Sequence, residues 1–463
     1  MAFLVGSAQG GRCIMRYLFG FLCVCALVLM PLVGCSETAG DGGIGGSAGI
    51  GGAGGDGGSA GNGGSGGMAG VIGCDEDDDC DDADLCTTDF CSAGDFGGGC
   101  VNLPVDCDDR NDCTEEGCDP ADGCITPTPV TDGTLCAGGT CRSGACELTD
   151  SLLPCTEQGI RNAIAAGGDD PYTFECDRPE NIILTSATIV IANDVILDGE
   201  GNLTLDGQDA HGVFAVPEGV TAELRGFGIT GGSSENEAGG IDIAQGATMT
   251  LTNSTVSGGR ANRGGGIANA GTLTMTNSTV RDNRAEDGYS DGIANAGTLT
   301  MTNSTVSGNA DTGIPGEGQQ ALPAGAILNE GAMTMASSTV SGNITLIAPG
   351  SAMLTNSLVD GDCPGDVDLT SKGYNIESPG DTCGFGQGTD KTGVSADDLK
   401  LGELVDNGGP TETHALLPGS VAIDAIPQAE CLDADGQPLT TDQRGQPRPG
   451  GTMCDVGAFE VQP

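Results

Sequence analysis

Basic side chains that could take part in chemistry are scarce in this chain, and several of them gather in one stretch. There are 16 Lys and Arg residues against 66 Asp and Glu residues. Arg260, Arg263, Arg281 and Arg284 lie close together along the sequence, and Asp282 directly follows Arg281. Cleavage of an acidic polysaccharide uses carboxylates with a nearby cation that moves a proton or neutralises a uronate. Arg281 and Asp282 are therefore the best candidate site, although a solvent-facing charged bend is the simpler explanation.

The remaining groups suited to catalysis do not form a second site in the sequence. Asp242, Asp291 and Asp311 lie near the ends of repeats and do not share one repeated position. His211 stands alone, and His414 lies in THALLPGS, where a structural hydrogen bond is the expected role. We therefore predict no catalytic residue and no enzymatic activity, with a polysaccharide lyase or glycoside hydrolase as the alternative.

The strong acidity of the chain limits its partners. The formal net charge is −50 at pH 7. A surface of this sign repels the phosphate backbone of nucleic acids, so we exclude nucleic acid as a partner. Calcium is a natural counter-ion and remains possible, but solubility alone explains the charge. No metal site and no other cofactor are predicted.

Residues 1–34 have the pattern of an export signal. Residues 15–35 read MRYLFGFLCVCALVLMPLVGC, a positive start followed by an apolar run and a cysteine. The run is too short for a comfortable membrane span. Its end resembles the lipobox of bacterial lipoproteins, which implies a diacylglycerol on Cys35, and translation could start at Met1 or Met15. We expect a surface-exposed protein of the cell envelope, held at the outer membrane by its N-terminal lipid.

A flexible tether is predicted over residues 35–73. Residues 40–70 are almost entirely Gly, Ala, Ser and Asp. Glycine this dense cannot form a packed core and behaves as a flexible coil, which would hold the folded parts clear of the membrane.

Residues 74–147 form a cysteine-rich segment. It contains 12 of the 22 cysteines, and two stretches, 80–100 and 107–124, repeat one spacing around CTTDFC and CTEEGC. These stretches resemble slime-mould-type cysteine-rich repeats. The last three cysteines form a looser third unit, which Cys74 could complete. Removing three leader cysteines and the lipidated one from 22 leaves 18, and in an exported chain we expect nine disulfides rather than zinc sites.

A repeat of about two dozen residues dominates residues 148–383. Its clearest units are GTLTMTNSTVRDN from Gly271 and GTLTMTNSTVSGN from Gly297. Aligned on the bend residue, the units follow one another at intervals of 27, 24, 26, 34 and 19 residues. The bends are Gly226, Asn253, Asn277, Asn303, Ser337 and Asn356. Such a period indicates one supersecondary unit stacked many times.

Within each unit, apolar and polar residues alternate with period two, which is typical of strands. Leu273 and Met275 are predicted to point inward while the intervening threonines point outward. A second inward column is predicted at Ile243, Ile267, Ile293 and Ile327. We also predict that the asparagines at the bends adopt the left-handed conformation and stack on one another through hydrogen bonds.

The fold class that follows is all-β: a right-handed parallel β-helix preceded by a small disulfide-rich segment. Its coils would stack about 4.8 Å apart, and a helix over residues 156–166 would cap the first of them. A β-sandwich of short strands is the runner-up, but inward residues in fixed columns favour the solenoid.

Residues 384–463 carry three motifs: DNGGPTETHALLPGSVAIDA, TDQRGQPRPGG and CDVGAFE. In this order they resemble the choice-of-anchor Q proteins, which are bacterial surface proteins with a right-handed β-helix. The resemblance implies a cap on the C-terminal end of the solenoid and a surface location, and it implies no reaction. Proximity along the chain pairs the remaining cysteines as Cys155 with Cys176, Cys363 with Cys383, and Cys431 with Cys454.

The expected function is binding, adhesion or structure at the cell surface. Most outward positions of the repeats are Thr or Ser, which predicts a long, flat, Thr-rich face. Such a face could contact polysaccharide or the surface proteins of other cells.

Overall fold

Short strands of this chain stack in parallel, each on its counterpart one repeat later, as the computed structural model shows. The structure describes residues 80–92, 99–176, 180–183, 187–235, 238–285, 291–309, 325–365 and 369–463. The predictions for the leader, Cys35, the tether, Cys74 and Asp311 lie outside these residues. Within them, no helix has the length and apolar character needed to cross a membrane.

Three parallel sheets form the sides of the solenoid. The largest holds 17 strands, and their bounds are Leu152–Pro154, Pro171–Glu175, Glu180–Ile183, Val195–Asp206, Thr221–Thr230, Thr248–Thr252, Thr255–Ser257, Thr272–Thr276, Thr279–Arg281, Thr298–Thr302, Thr305–Ser307, Ala332–Ala336, Thr339–Ser341, Ser351–Thr355, Leu358–Asp360, Leu369–Ser371 and Ile376–Ser378. The second sheet contains Ile189–Val190, Phe214–Val216, Ile241–Ile243, Ile267–Asn269, Ile293–Asn295, Gly325–Asn329 and Asn343–Leu346. The third contains Ser233–Ser234, Arg260–Ala261 and Arg284–Ala285. The predicted parallel β-helix is confirmed.

The inward column predicted from alternation forms the core. Leu273 stacks on Leu299, and Met275 stacks on Met301, in one parallel register. These four side chains are fully buried, and they belong to a single apolar cluster that runs through the solenoid. Burial of this kind contributes about 1.5–3 kcal/mol per large apolar side chain.

The second predicted column is wrong at one position. Ile241, not Ile243, stacks on Ile267, and Ile243 lies beside Asn269. The cause is a longer turn in this coil, because two more residues separate Ile241 from Met249 than separate Ile267 from Leu273.

The bend residues adopt the left-handed conformation, as predicted, with φ of 53° at Asn253 and 47° at Asn303. The predicted stack of these asparagines is wrong. From Asn253 onward, the serine that follows the bend makes the stack instead: Ser254 N donates to Ser278 Oγ at 3.2 Å, and Ser278 N donates to Ser304 Oγ at 3.2 Å. The left-handed residue turns its own side chain away from the core, so Asn303 Nδ2 donates to Thr441 O instead, at 2.8 Å.

A second polar stack lies along the second sheet, at the ends of the strands Ile267–Asn269, Ile293–Asn295 and Gly325–Asn329. Asn269 Nδ2 donates to Asn295 Oδ1 at 2.7 Å, and Asn295 Nδ2 donates to Asn329 Oδ1 at 2.6 Å. All three side chains are buried, so each amide satisfies the next one where water cannot reach.

A helix, Glu157–Ala166, covers the first coil. The side chain of Thr156 accepts a hydrogen bond from Gly159 N, and Gly167 ends the helix with φ of 61°. Ile160 and Ile164 pack into the solenoid core. The helix predicted over residues 156–166 is therefore present, and it shields the open end of the apolar column.

The cysteine-rich segment consists of short antiparallel strands cross-linked by disulfides. Their bounds are Thr87–Ser92, Gly99–Pro104, Thr114–Glu115, Cys118–Asp119, Gly123–Cys124, Thr128–Pro129, Leu135–Cys136, Gly139–Arg142 and Ala145–Leu148. The bridges between described residues here are Cys80–Cys100, Cys86–Cys118, Cys107–Cys124, Cys113–Cys141 and Cys136–Cys146. Cys91 is also disulfide-bonded.

Two of these bridges link one repeat to the next, which spacing alone does not reveal. Cys86 of the first repeat pairs with Cys118 of the second, and Cys113 pairs with Cys141. Cys113, rather than Cys74, therefore completes the looser third unit. With few large apolar side chains, the segment depends on these cross-links for its stability.

The C-terminal segment has little regular structure. Its helix is Ala396–Leu399, its 3₁₀ helix is Gln428–Glu430, and its strands pair as Leu401–Val405 with Thr413–Leu416 and Ile426–Pro427 with Met453–Cys454. Three disulfides lie outside the cysteine-rich segment. They join Cys155 to Cys176 at the first coils, Cys363 to Cys383 at the last coils, and Cys431 to Cys454 in the C-terminal segment, the same pairs that proximity suggests.

The asparagine stack gives a stability prediction. Replacement of Asn295 by alanine removes one acceptor of Asn269 Nδ2 and the side-chain donor to Asn329 Oδ1. A buried polar group left unsatisfied costs about 1–3 kcal/mol. We expect a clear fall in the urea midpoint of unfolding followed by circular dichroism. Ala296→Ser, at the exposed neighbouring position, is the matched control and should leave the midpoint unchanged. An unchanged midpoint in Asn295→Ala would contradict the role of the stack.

Candidate functional site

The C-terminal segment does not only cap the solenoid, as the resemblance implies, but also runs back along its side. Leu358 and Ile376 of the last coils pack into a second apolar cluster with Leu416 and Ile426. Farther back, Thr411 Oγ1 donates to Asn277 O at 3.0 Å, across 134 residues of sequence. The segment thus covers the side face that follows the bends.

One column of threonines on that face holds the C-terminal segment. The register places Thr255, Thr279, Thr305 and Thr339 one above another. Thr279 Oγ1 donates to Glu412 O at 2.8 Å, Thr305 Oγ1 donates to Gln443 Oε1 at 2.6 Å, and Thr339 Oγ1 accepts from Ala458 N at 3.0 Å. Thr255 lies beyond the last of these contacts and is only half-buried.

A buried ionic network holds the docked segment in shape. Arg448 Nε lies 3.1 Å from Glu460 Oε2, and both side chains are at most 1% exposed. Burial raises the pKa of Glu460 and lowers the pKa of Arg448, while their mutual attraction opposes both shifts. Nearby, Arg444 pairs with Asp442 at 2.7 Å. The TDQRGQPRPGG and CDVGAFE motifs are therefore joined by the Arg448–Glu460 ion pair, which helps to hold the docked segment in shape.

His414 also has a structural position, at the contact between the docked segment and the solenoid. Its Nδ1 lies 2.7 Å from Gly402 O, and its Nε2 lies 2.8 Å from Ser307 Oγ. A carbonyl can only accept, so Nδ1 carries the proton and Nε2 accepts from the serine. Burial lowers the pKa of His414, although the Gly402 carbonyl and Asp360 oppose the shift.

A groove opens where the docked segment ends. Its volume is about 450 Å³, within the range typical of small-molecule sites. The floor comes from the solenoid and one wall from residues 406–412 of the docked segment. The polar lining side chains are Thr204, Thr230, Asn253, Thr255, Ser257, Arg281, Asp406, Thr411 and Glu412.

Two glycines make the floor of the groove flat. Gly226 has φ of 65°, and a Cβ atom on it would lie 2.5 Å from Gly201 N. A Cβ atom on Gly228 would lie 2.5 Å from Thr204 Oγ1. Larger residues at either position would push the coils apart, so the groove depends on these glycines.

The structure brings Arg281 into the groove and gives it a second carboxylate partner besides the predicted Asp282. Arg281 Nε lies 2.6 Å from Glu412 Oε2. The guanidinium also pairs with Asp282, whose exposed carboxylate does not line the groove. The other arginines of this stretch lie elsewhere: Arg260 is 3.8 Å from Asp209, and Arg263 pairs with Glu330.

Sequence reasoning missed the two carboxylates of the groove. Asp406 opens the DNGGPTETH motif and Glu412 lies near its end, and the resemblance implies only a cap for this motif. Glu412 reaches Arg281 across 131 residues of sequence, and the repeat pattern carries no signal for such a contact. Asp406 Oδ1 accepts from Gly408 N at 2.8 Å, which fixes the turn that forms the wall.

The groove offers hydrogen-bonding chemistry. Hydroxyls can donate and accept, carboxylates accept, and the single lining guanidinium is already paired with a carboxylate. Elsewhere among the described residues, the groups suited to a metal ion by distance are two cysteine trios, whose members are disulfide-bonded, and the exposed set Asp108, Asp109 and Glu116.

The environment of His414 gives a prediction for pH dependence. Because its folded pKa is below the usual 6.5, the unfolded chain binds the proton more readily, so folded stability falls as pH falls through about 6.5. We expect the urea midpoint to drop between about pH 7.5 and about pH 5.5. In His414→Gln the drop should be smaller, because no imidazole titrates. An equal drop in both proteins would contradict this assignment.

Comparison with known proteins matches two regions of the chain. Residues 181–372 match the model of the right-handed beta helix region, and residues 79–105 and 106–129 each match the Dictyostelium (slime mold) repeat. No curated protein and no solved structure matches the chain. The chain thus carries a right-handed β-helix region preceded by two slime mold-type cysteine-rich repeats, as the sequence predicts.

Proposed function

We propose that this protein is a lipid-anchored surface protein that binds a neutral polysaccharide in the groove without cleaving it. The observation that carries the proposal is the groove itself, an open cavity lined by hydroxyl and carboxylate groups over a glycine floor. Sugar hydroxyls need many short hydrogen bonds to both donors and acceptors, and this lining provides both.

The charges of the groove favour a neutral chain. Arg281 is the one basic residue among those that line the groove, and Glu412 neutralises it. Asp406 adds a further negative charge, and the whole chain has a net charge of −50. A uronate or sulfated polysaccharide would meet repulsion at long range and no free cation at the site.

Cleavage is the second candidate, because two carboxylates line one cavity. A hydrolase needs one carboxyl group that stays protonated and one that stays ionised, on opposite sides of the scissile bond. Glu412 is held in an ion pair with Arg281 at 2.6 Å, so its carboxylate forms a fixed part of the groove wall. The pairing therefore supports binding over acid catalysis.

The anchor and location rest on the sequence. The apolar leader that ends at Cys35 supports lipidation, and the disulfides of the cysteine-rich segment support an oxidising compartment outside the cytosol. The motifs over residues 406–460 support kinship with the choice-of-anchor Q proteins. Together they favour the outer membrane and the cell surface.

A bulky substitution in the groove tests whether polysaccharide binds there. Thr255→Trp places a large ring over the glycine floor and should weaken binding of soluble β-glucan or dextran at least tenfold, as measured by calorimetry. Thr88→Trp, at an exposed site in the cysteine-rich segment, is the matched control. Alginate serves as the anionic comparison and should bind weakly or not at all.

Three results would contradict this proposal. Absence of binding to every neutral polysaccharide tried would remove the assigned ligand class. Equal binding by Thr255→Trp and the control would place the site elsewhere. Release of new reducing ends by the native protein, lost in Glu412→Gln, would make the protein an enzyme.

Lipidation is tested at Cys35. The native chain, expressed in a bacterium fed with an alkyne fatty acid, should become labelled and partition with membranes. Cys35→Ser should lose both properties because the thioether cannot form. Cys25→Ser, which removes a cysteine of the apolar leader and no disulfide of the cysteine-rich segment, should keep the label. Labelling that survives in Cys35→Ser would show that another residue carries the lipid.

A further inference from the structure

The side of the solenoid that the C-terminal segment leaves bare carries a regular array of threonines. Three adjacent coils each contribute three outward threonines, and the strands are in register, so the nine residues form rows and columns. We call them the threonine array, and they are Thr248, Thr250, Thr252, Thr272, Thr274, Thr276, Thr298, Thr300 and Thr302. Thr221 and Thr334 extend two of the columns by one coil.

The array is accessible, uncharged and unpaired. All nine residues are half-buried or exposed. Within the described part of the chain, no side chain of the array forms a hydrogen bond to another residue. Glu223 and Arg225 lie one coil away, beside Thr250 and Thr252 in the register, and they pair with each other at 2.7 Å. The nine hydroxyls are therefore available to an external partner.

The interior makes the array rigid. Beneath it, Leu273, Met275, Leu299 and Met301 are fully buried, and the serine stack fixes the bend at one edge. Threonine is itself stiff, because its branched Cβ restricts χ1. A repeated residue on a repeated backbone therefore presents its hydroxyl and methyl groups with the same spacing in every coil.

The spacing of the array resembles that of crystalline water. Threonines recur about every 6.6 Å along a strand and about every 4.8 Å from coil to coil. In tetrahedral water with an O···O distance of about 2.75 Å, second neighbours lie about 4.5 Å apart and the layers of ice repeat about every 7.3 Å. The two grids agree within about a tenth in each direction, so over three residues the mismatch stays below one water diameter.

We propose that the threonine array binds the surface of ice. The hydroxyls take lattice positions of the outermost water layer, and the methyl groups order the water between them. Each hydroxyl exchanges a bond to bulk water for a bond to the lattice, so the net gain per bond is small, and the regular spacing lets many such bonds form together. This activity is separate from the groove, which lies on the other side of the bends.

Other occupants fit the array less well. Flat sugar-binding surfaces use aromatic rings, and the described residues of this face between Thr248 and Thr302 include none. A second copy of the chain would bury a patch only about three coils wide, about 15 Å, which is small for a stable dimer.

The test measures ice growth in the presence of the purified full chain. The native protein should shape single ice crystals, lower the freezing point below the melting point, and inhibit recrystallisation. The double variant Thr274→Lys/Thr300→Lys should need at least tenfold more protein for equal inhibition, because two bulky charges stand in the middle of the array. Thr88→Lys/Thr126→Lys adds the same charge at exposed sites of the cysteine-rich segment and should behave like the native protein.

Circular dichroism and the melting temperature confirm that both variants are folded. Native protein that leaves ice growth unchanged would overturn the proposal. Equal inhibition by the two double variants would also overturn it, since the activity would then lie elsewhere. Sedimentation of the native protein as a dimer that Thr274→Lys/Thr300→Lys separates would overturn it too, because the array would then be an interface between copies.

Discussion

The in-register stacking of buried polar side chains is the constraint on which the rest of this structure depends. A solenoid of small coils must turn sharply, and each turn brings backbone N–H groups into an interior that water does not reach. Ser254, Ser278 and Ser304 accept from these groups in succession, and Asn269 and Asn295 form a parallel stack along another edge. A coil that slipped by one residue would break both stacks at once, so they fix the register that aligns the outward columns.

That register aligns outward threonines on both sides of the bends, but the C-terminal segment covers only one of these two faces of the large sheet. The column of Thr279, Thr305 and Thr339 receives the C-terminal segment through hydrogen bonds, while the threonine array stays bare. The groove exists because the docked segment ends one coil before the column does, which leaves Thr255 and the glycine floor uncovered. The groove therefore lies at the boundary between a covered and an uncovered stretch of one repeated surface.

Local patterns in the sequence predict the local features of this fold. The inward position of Leu273 and Met275, the left-handed bend at Asn253 and the helix that starts after Thr156 each follow from a few neighbouring residues. The errors concern register and distance. Which residue stacks at the bend depends on the coil above it, and the contact of Glu412 with Arg281 joins two distant segments whose patterns are independent. The repeats predict the solenoid, but they do not predict which surface of it the C-terminal segment covers.

The most direct test of the proposal that the groove binds polysaccharide is hydrogen–deuterium exchange of the full chain with and without soluble β-glucan. We expect slower exchange in two peptides that are distant in sequence, residues 253–257 on the solenoid and residues 406–412 on the docked segment. The threonine array should exchange at the same rate in both samples. Protection confined to the array or to the cysteine-rich segment, or no protection at a saturating glucan concentration, would contradict the account.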